Sequence, residues 1–159
     1  MESVMIRIEK ILVPTDFSEF SQCALRYGCE LANRFDAQLH LLNVVEDIYP
    51  LIPDPGMTFP PVESYLPEIQ NAAKRAILNL PPAEMAGKVS VVREVITGVP
   101  FLEIVRYARE QEIDMIVIGT HGRSGLAHAL MGSVAEKIVR KASCPVLTVR
   151  PEGHGFVMP

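Results

Sequence analysis

The residues best suited to chemistry lie in one glycine-rich stretch, from Gly119 to Ser133. Glycines occupy positions 119, 122 and 132 between an apolar segment and a helical pattern. Glycine lets a backbone approach a phosphate closely, and the free amides of a helix N-terminus attract anions. The spacing is neither that of a dinucleotide-binding loop nor that of a P-loop NTPase. The stretch therefore predicts a phosphate site of another kind, for a nucleotide and specifically ATP.

The polar residues of this stretch have ordinary alternatives. Ser133 with Glu136 three residues later also forms a capping box, which would exist without a ligand. Arg123 could pair with a terminal phosphate or be solvated on a loop. His121 and His128 lack a second ligand at metal-binding spacing, so we interpret both as non-metal residues.

Asp16 is the second candidate group, because it follows the first predicted strand. Its carboxylate could accept hydrogen bonds from ribose hydroxyls or hold a metal ion. Asp16 followed by Glu19 is also a capping pattern for the next helix. The two roles are compatible, and the sequence leaves both open.

Strands and helices alternate along the chain. Five short apolar segments predict strands, at residues 10–14, 38–45, 89–96, 114–119 and 145–149. Apolar residues at helical spacing lie between them, at residues 20–31, 65–80, 100–108 and 133–142. The inner face of the first helix is predicted to be Phe20, Ala24, Tyr27 and Leu31.

This alternation predicts an α/β fold, a parallel sheet with helices on both faces. Right-handed crossovers bring the loops after the strands to one edge of the sheet, where ligands bind near the reversal of strand order. The glycine-rich stretch and Asp16 both follow strands. We therefore expect them to meet at that edge.

Composition limits the classes of function. The 159 residues fit one domain, 1–159, and no apolar run is long enough to span a bilayer. No secretion signal is recognisable, so the expected location is the cytoplasm. A net charge of -4 without a basic cluster argues against nucleic-acid binding. The three cysteines follow no metal or disulfide pattern and are predicted to be free thiols.

Two segments fall outside the regular pattern. Residues 46–63 contain five prolines and are predicted to be a loop insertion, with a lid, a binding loop and a disordered insertion as the alternatives; we favour a lid. Residues 152–159 carry glycines and a terminal proline and are expected to form a flexible tail that does not pack.

Four motifs occur in order at the ends of predicted strands. They are Pro14-Thr15-Asp16, Asn43-Val44-Val45, Gly98-x-Pro100 and the G-x2-G-x9-G-S pattern of Gly119, Gly122, Gly132 and Ser133. Together they resemble the universal stress protein family over residues 10–150. The resemblance implies a Rossmann-like sheet of five parallel strands in the order 3-2-1-4-5. It also implies that ATP binds at the carboxyl edge, because this chain keeps the whole glycine pattern.

The resemblance assigns a role to each motif residue. Pro14 and Thr15 would line the base pocket, Asp16 would meet the ribose and adenine side, and the Val44 backbone would recognise adenine. The groups that would hold ribose and phosphates are Gly119, Gly122, Gly132, Ser133 and the amide of Val134. Arg123 occupies the basic position after the second glycine. Mg²⁺ or Mn²⁺ often accompanies the triphosphate in this family.

The family is commonly dimeric through its last strand, here Val146 to Val149, whose open edge would otherwise invite pairing. The insertion at 46–63 departs from the family pattern, so the resemblance assigns it no role.

Three functions stay open from sequence. The first is a nucleotide-dependent regulatory protein of the stress response. The second is a weak ATPase or phosphotransferase; no general base is paired with a nucleophile near the glycines, so no catalytic residue is predicted, although slow hydrolysis stays open. The third is a structural or chaperone-like homodimer that binds no nucleotide.

Overall fold

Five strands and five helices form the part of the chain that the computed structural model describes, residues 5–46, 62–121 and 131–151. Their bounds are β1 Lys10–Pro14, α1 Glu19–Phe35, β2 Gln38–Glu46, α2 Val62–Leu78, α3 Ala83–Ala86, β3 Val91–Gly98, α4 Pro100–Glu110, β4 Met115–Gly119, α5 Ser133–Lys141 and β5 Val146–Val149. The predicted strands and long helices are confirmed, with ends shifted by up to four residues. The short helix α3 has no counterpart in the prediction.

All strand pairs are parallel, and the sheet order is β3-β2-β1-β4-β5. This confirms the predicted fold class and strand order. Alternate side chains of each strand enter two separate cores. One core joins Ile11, Leu39 and Val117 to α1, and the other joins Leu12 and Ile116 to α4 and α5. Helices therefore cover both faces of the sheet.

The buried face of α1 differs from the predicted one at Tyr27. Ala24 is buried as predicted, but Tyr27 is 51% exposed, and the small residues Gly28 and Ala32 are buried. A β-carbon at Gly28 would lie 2.4 Å from Cγ2 of Val13. The helix approaches the sheet through its small residues, because a large side chain on that face would push it away.

A similar difference occurs in α5 and α2. Val139 of α5, one of the apolar residues at helical spacing in 133–142, is 46% exposed. Ile69 of α2 is 47% exposed, while Ala73 and Ile77 of the same apolar stripe are buried. An apolar residue at the rim of a helical stripe can thus stay at the surface, since the stripe is wider than the contact it makes.

Several predictions fall on residues outside the described ranges. The proline-rich insertion lies there except for its ends, and so does the tail at 152–159. The predictions of a single domain over 1–159 and of a cytoplasmic location remain predictions. Within the described ranges, no helix has both the length and the apolar character needed to cross a bilayer.

Candidate functional site

A cavity of about 640 Å³ opens at the carboxyl ends of β1, β2 and β4. It lies at the edge of the sheet where the strand order reverses, which is the general ligand position in open α/β sheets. Its volume falls within the ordinary range of small-molecule sites, roughly 300 to 1,000 Å³. The predicted site residues that line it are Pro14, Thr15, Asp16, Val44, Gly119, Gly132, Ser133 and Val134. The other two predicted residues, Gly122 and Arg123, lie outside the described residues.

The turn after β1 is held by its own polar side chains. The Thr15 hydroxyl accepts a hydrogen bond from the Phe17 amide at 3.1 Å and lies 3.1 Å from the Ser21 hydroxyl. An Asp16 carboxylate oxygen accepts a hydrogen bond from the Ser18 amide at 3.0 Å. These bonds fix Asp16, which is half-buried, at the wall of the cavity.

The cap of α1 is Ser18, not Asp16 as the capping pattern predicted. The Ser18 side chain accepts a hydrogen bond from the Ser21 amide at 3.3 Å. Phe17 has a φ of 64°, a left-handed conformation that delays the start of the helix by two residues. The Asp16 side chain therefore supports the turn before the helix.

The first turn of α5 forms another part of the wall. Gly132 is its N-cap, and no side chain of the described residues caps it. The predicted capping box of Ser133 and Glu136 is wrong: Ser133 is the first helical residue, and Glu136 pairs with Arg140 at 3.0 Å. The amides at the start of α5 thus have no side-chain acceptor among the described residues. An anion in the cavity could accept hydrogen bonds from them.

The end of β4 positions this helix start. The Gly132 amide donates to the Thr120 carbonyl at 2.5 Å, and the Thr120 amide donates to the Val149 carbonyl at 3.0 Å. Gly119 is buried against α1, where an added β-carbon would lie 2.8 Å from the Phe20 carbonyl oxygen. The glycine is required here for packing as well as for room beside the cavity.

The end of β2 supplies the opposite wall. The last hydrogen bond between β1 and β2 runs from the Thr15 amide to the Leu42 carbonyl, at 2.9 Å. Val44 lies two residues beyond Leu42 and lines the cavity. Asn43 is buried, and its side-chain amide donates to the Thr15 carbonyl at 2.8 Å. The two strand ends are therefore joined through a side chain where the ladder stops.

Sequence reasoning missed an apolar wall. The residues of α2 and α4 that line the cavity are Ile69, Ala72, Ala73, Ala76, Pro100 and Ile104. Pro100 belongs to the predicted Gly98-x-Pro100 motif, whereas the apolar residues of the two helices were interpreted only as core packing. The signal that could have separated the two roles is the run of small alanines on α2, which leaves space above the sheet.

Displaced pKa values occur away from this lining. Burial lowers the pKa of His40, with the positive charge of Lys10 adding to the effect. Burial raises the pKa of the Cys29 thiol to about 11. Burial and the negative charge of Glu94 raise the pKa of Tyr107 to about 12. Burial and the charge of Asp114 raise the pKa of Cys144. All three cysteines are free thiols.

No group of three or more metal-binding side chains is found in the described ranges. Among the described residues, Asp16 and Glu46 are the carboxylates that line the cavity, and His121 is the imidazole. His121 packs against Phe20 with ring centroids 5.5 Å apart, and its Nδ1 lies 3.1 Å from the Thr120 hydroxyl.

Known proteins resemble this chain along most of its length. The model of the universal stress protein family matches residues 7–150. The universal stress protein MJ0531 of Methanocaldococcus jannaschii is 36% identical over 143 residues, covering 89% of this chain and 82% of that protein. The structure of the universal stress protein UspA from Lactobacillus plantarum has a TM-score of 0.76 at 30% identity, covering 91% of this chain and 99% of that one.

A further solved structure is a universal stress protein in complex with cAMP. Its TM-score is 0.63 at 24% identity, and the match covers 91% of this chain and 98% of that one. At this identity the likeness concerns the fold. The family model, the relatives and the fold agree, and the chain is a member of the universal stress protein family.

Proposed function

We propose that this chain binds ATP in the cavity at the carboxyl edge of the sheet and acts as a nucleotide-dependent regulatory protein. The observation that carries the proposal is the joint position of three features around one cavity: the first turn of α5, the Asp16 carboxylate and the end of β2 at Val44. The first turn of α5 would bind the phosphates, the Asp16 carboxylate the ribose, and the end of β2 the base. A site for a simple anion would need only the first turn of α5.

The phosphates would lie against the backbone of Gly132, Ser133 and Val134. Helix N-terminal amides donate hydrogen bonds to phosphate oxygens, and the helix dipole adds about 0.3 to 1 kcal/mol for each favourable charge. Asp16 would accept hydrogen bonds from the ribose hydroxyls. The base would lie beside Pro14, Thr15 and the Val44 backbone.

Arg123 and Gly122 complete the proposed site as donors to the phosphates, on the resemblance to the family's glycine pattern. The complex of a structural relative with cAMP supports an adenine nucleotide as the ligand class. Backbone donors of this kind bind a ground state and do not themselves accelerate hydrolysis. The proposal is therefore a binding protein.

A divalent ion, Mg²⁺ or Mn²⁺, would enter with the triphosphate. Mg²⁺ is usually held by one or two carboxylates together with substrate phosphates and water. Asp16 and Glu46 are the carboxylates in the described lining, and Asp16 lies on the proposed ribose side. When bound, the ion would neutralise phosphate charge, while the chain's residues hold the nucleotide in place.

We also propose that two copies pair through β5. This strand lies at one edge of the sheet, and Leu147 exposes 37% of its surface there. An edge strand with an apolar side chain is a surface that another strand can complete. The proposed dimer would remove that edge from solvent.

The proposal is tested by denaturing freshly purified protein and identifying any released nucleotide by mass spectrometry. We expect ATP, released in proportion to the protein. Incubation of the native protein with ATP and Mg²⁺ should give no steady turnover. Turnover that Asp16→Ala abolishes would instead identify an ATPase, and a folded protein that neither releases nor binds nucleotide would leave the structural homodimer.

A further inference from the structure

The backbone of Val44 lies where the β1–β2 ladder would continue but does not. Pro14 pairs with Leu42 in register, and the Thr15 amide donates the last ladder bond to the Leu42 carbonyl at 2.9 Å. In a parallel pair, every second residue turns its N–H and C=O toward the same neighbour. Val44 is the next such residue. In a continued ladder, the Val44 amide would donate to the Thr15 carbonyl. The Val44 carbonyl would accept a hydrogen bond from the Phe17 amide.

Both of these partner groups are occupied by side chains. Asn43 Nδ2 donates to the Thr15 carbonyl at 2.8 Å. The Phe17 amide donates to the Thr15 hydroxyl at 3.1 Å, with Phe17 in its left-handed conformation. Asn43 and Thr15 are buried, at 5% and 7% exposure, so neither bond competes freely with water. Among the described residues, no backbone hydrogen bond joins Val44 to the β1 side.

We propose that Asn43 and Thr15 are positioning residues that keep the Val44 amide and carbonyl available to a ligand. They do so by occupying the two backbone groups of β1 that would otherwise pair with Val44. The result is an adjacent donor and acceptor at the wall of the cavity. This inference rests on the proposed function, in which the Val44 backbone recognises the adenine base.

The donor and acceptor fit one edge of adenine. Adenine presents an amino donor where guanine presents a carbonyl acceptor, and the neighbouring ring nitrogens have opposite roles as well. A backbone amide and carbonyl facing the base would accept the adenine edge and reject the guanine edge. Selectivity would follow without a polar side chain in contact with the base.

With an apolar residue at position 43, the Val44 amide should form a ladder hydrogen bond with the Thr15 carbonyl. Without the side-chain donor, the buried Thr15 carbonyl would lose its partner, which is costly in a protein interior. The Val44 amide is the nearest backbone donor in the ladder register and would take its place. Asn43→Leu is therefore the informative change, since it has similar volume and no donor.

The experiment measures amide exchange of Val44 by NMR together with ligand titrations. In the ligand-free wild-type protein, we expect the Val44 amide to exchange faster than the Leu42 amide. ATP should slow its exchange, and inorganic tripolyphosphate should not. In Asn43→Leu, the Val44 amide should be protected without ligand, and ATP should bind about tenfold more weakly, the effect of about one lost hydrogen bond.

A merely structural role of Asn43 would weaken both ligands alike, whereas the proposal predicts that tripolyphosphate binding is unchanged. The matched control is Asn33→Leu. Asn33 Nδ2 donates to the Cys29 carbonyl at 3.0 Å outside the cavity, so this change removes a similar bond. It should alter neither the ATP affinity nor the Val44 exchange.

The outcomes separate the two proposals. A wild-type protein that binds ATP with no slowing of Val44 exchange would overturn the positioning role and leave the proposed function intact. A wild-type protein that binds no ATP would overturn the proposed function. If Asn43→Leu does not fold, amide exchange in the wild-type protein still tests the positioning role. Slow exchange of the Val44 amide without ligand would contradict it.

Discussion

The backbone of Gly119 lies against the first turn of α1 so closely that a β-carbon there would be 2.8 Å from the Phe20 carbonyl oxygen. Real β-carbons do not approach a backbone oxygen so closely, and neither backbone segment can rotate away as a side chain can. The glycine that opens the phosphate stretch is therefore also a packing residue. Its presence in a binding motif does not by itself distinguish the two roles.

We expect Gly119→Ala to lower the free energy of unfolding by about 1 to 3 kcal/mol, the usual cost of overpacking a core. Chemical denaturation of the ligand-free protein measures it. Gly132→Ala is the matched control: its backbone has φ -68° and ψ 153°, which alanine adopts without strain. That variant should retain most of the stability and lose ATP affinity. Equal stability losses in both variants would contradict the packing role.

Stability should fall as the pH drops below about 6.5, because of His40. Its ring is buried and bonded to the Tyr107 hydroxyl at 2.9 Å and to Gln38 Oε1 at 3.0 Å. The folded pKa lies below the unfolded value of 6.5, so the unfolded chain binds the proton more readily. The contribution of neutral His40 to the free energy of unfolding is therefore complete above its unfolded-state pKa. It is lost as the pH falls toward the folded-state pKa.

Urea denaturation at pH 7.5 and pH 5.5 measures this dependence. His40→Gln keeps a polar side chain and removes the titrating ring, so its loss of stability over the same interval should be smaller than that of the wild-type protein. An identical pH dependence in the variant would assign the effect to other groups.

Cys29 should resist thiol reagents in the native protein. The side chain is 1% exposed, and burial raises its pKa to about 11, so little reactive thiolate forms near pH 8. Cys23 is half-buried and serves as the internal comparison. Peptide mapping after timed alkylation should find Cys23 modified first, and Cys29 modified only when urea unfolds the chain. Early modification of Cys29 would contradict its burial in the core.

The proposed dimer depends on the apolar edge of β5. Leu147→Glu introduces a charge at an exposed position of this strand, so we expect the monomer fold to persist. Sedimentation equilibrium should give a dimer for the wild-type protein and a monomer for the variant. Val139→Glu, on the exposed side of α5, is the control and should remain dimeric. A monomeric wild-type protein at micromolar concentration would exclude this pairing.

Much of the fold could be predicted from the sequence, because buried parallel strands are continuous apolar runs and helices are periodic. The sheet order came from the family resemblance and is confirmed. The inner face of α1 was predicted wrongly at Tyr27, since apolar size points to Tyr27 while close packing requires Gly28. Periodicity alone does not distinguish a large residue at the surface from a small one at the contact.

The cavity lining was predictable where backbone chemistry has a sequence signature, as with Gly119, Gly132 and the residues after β1. The caps were predicted wrongly: Asp16 and Ser133 have the right residue types, but each helix begins one or two residues away from the position that the pattern indicates. The bond from Asn43 to Thr15 had no local signal, because it joins residues 28 apart in the chain. Such a contact becomes visible only when the strands are paired.

Calorimetric titration of the ligand-free protein with ATP and Mg²⁺ tests the central claim most directly. The account predicts saturable binding of one ATP per chain, with GTP binding at least about tenfold more weakly if the Val44 backbone selects the base. A folded protein that gives no saturable binding at millimolar ATP would contradict it.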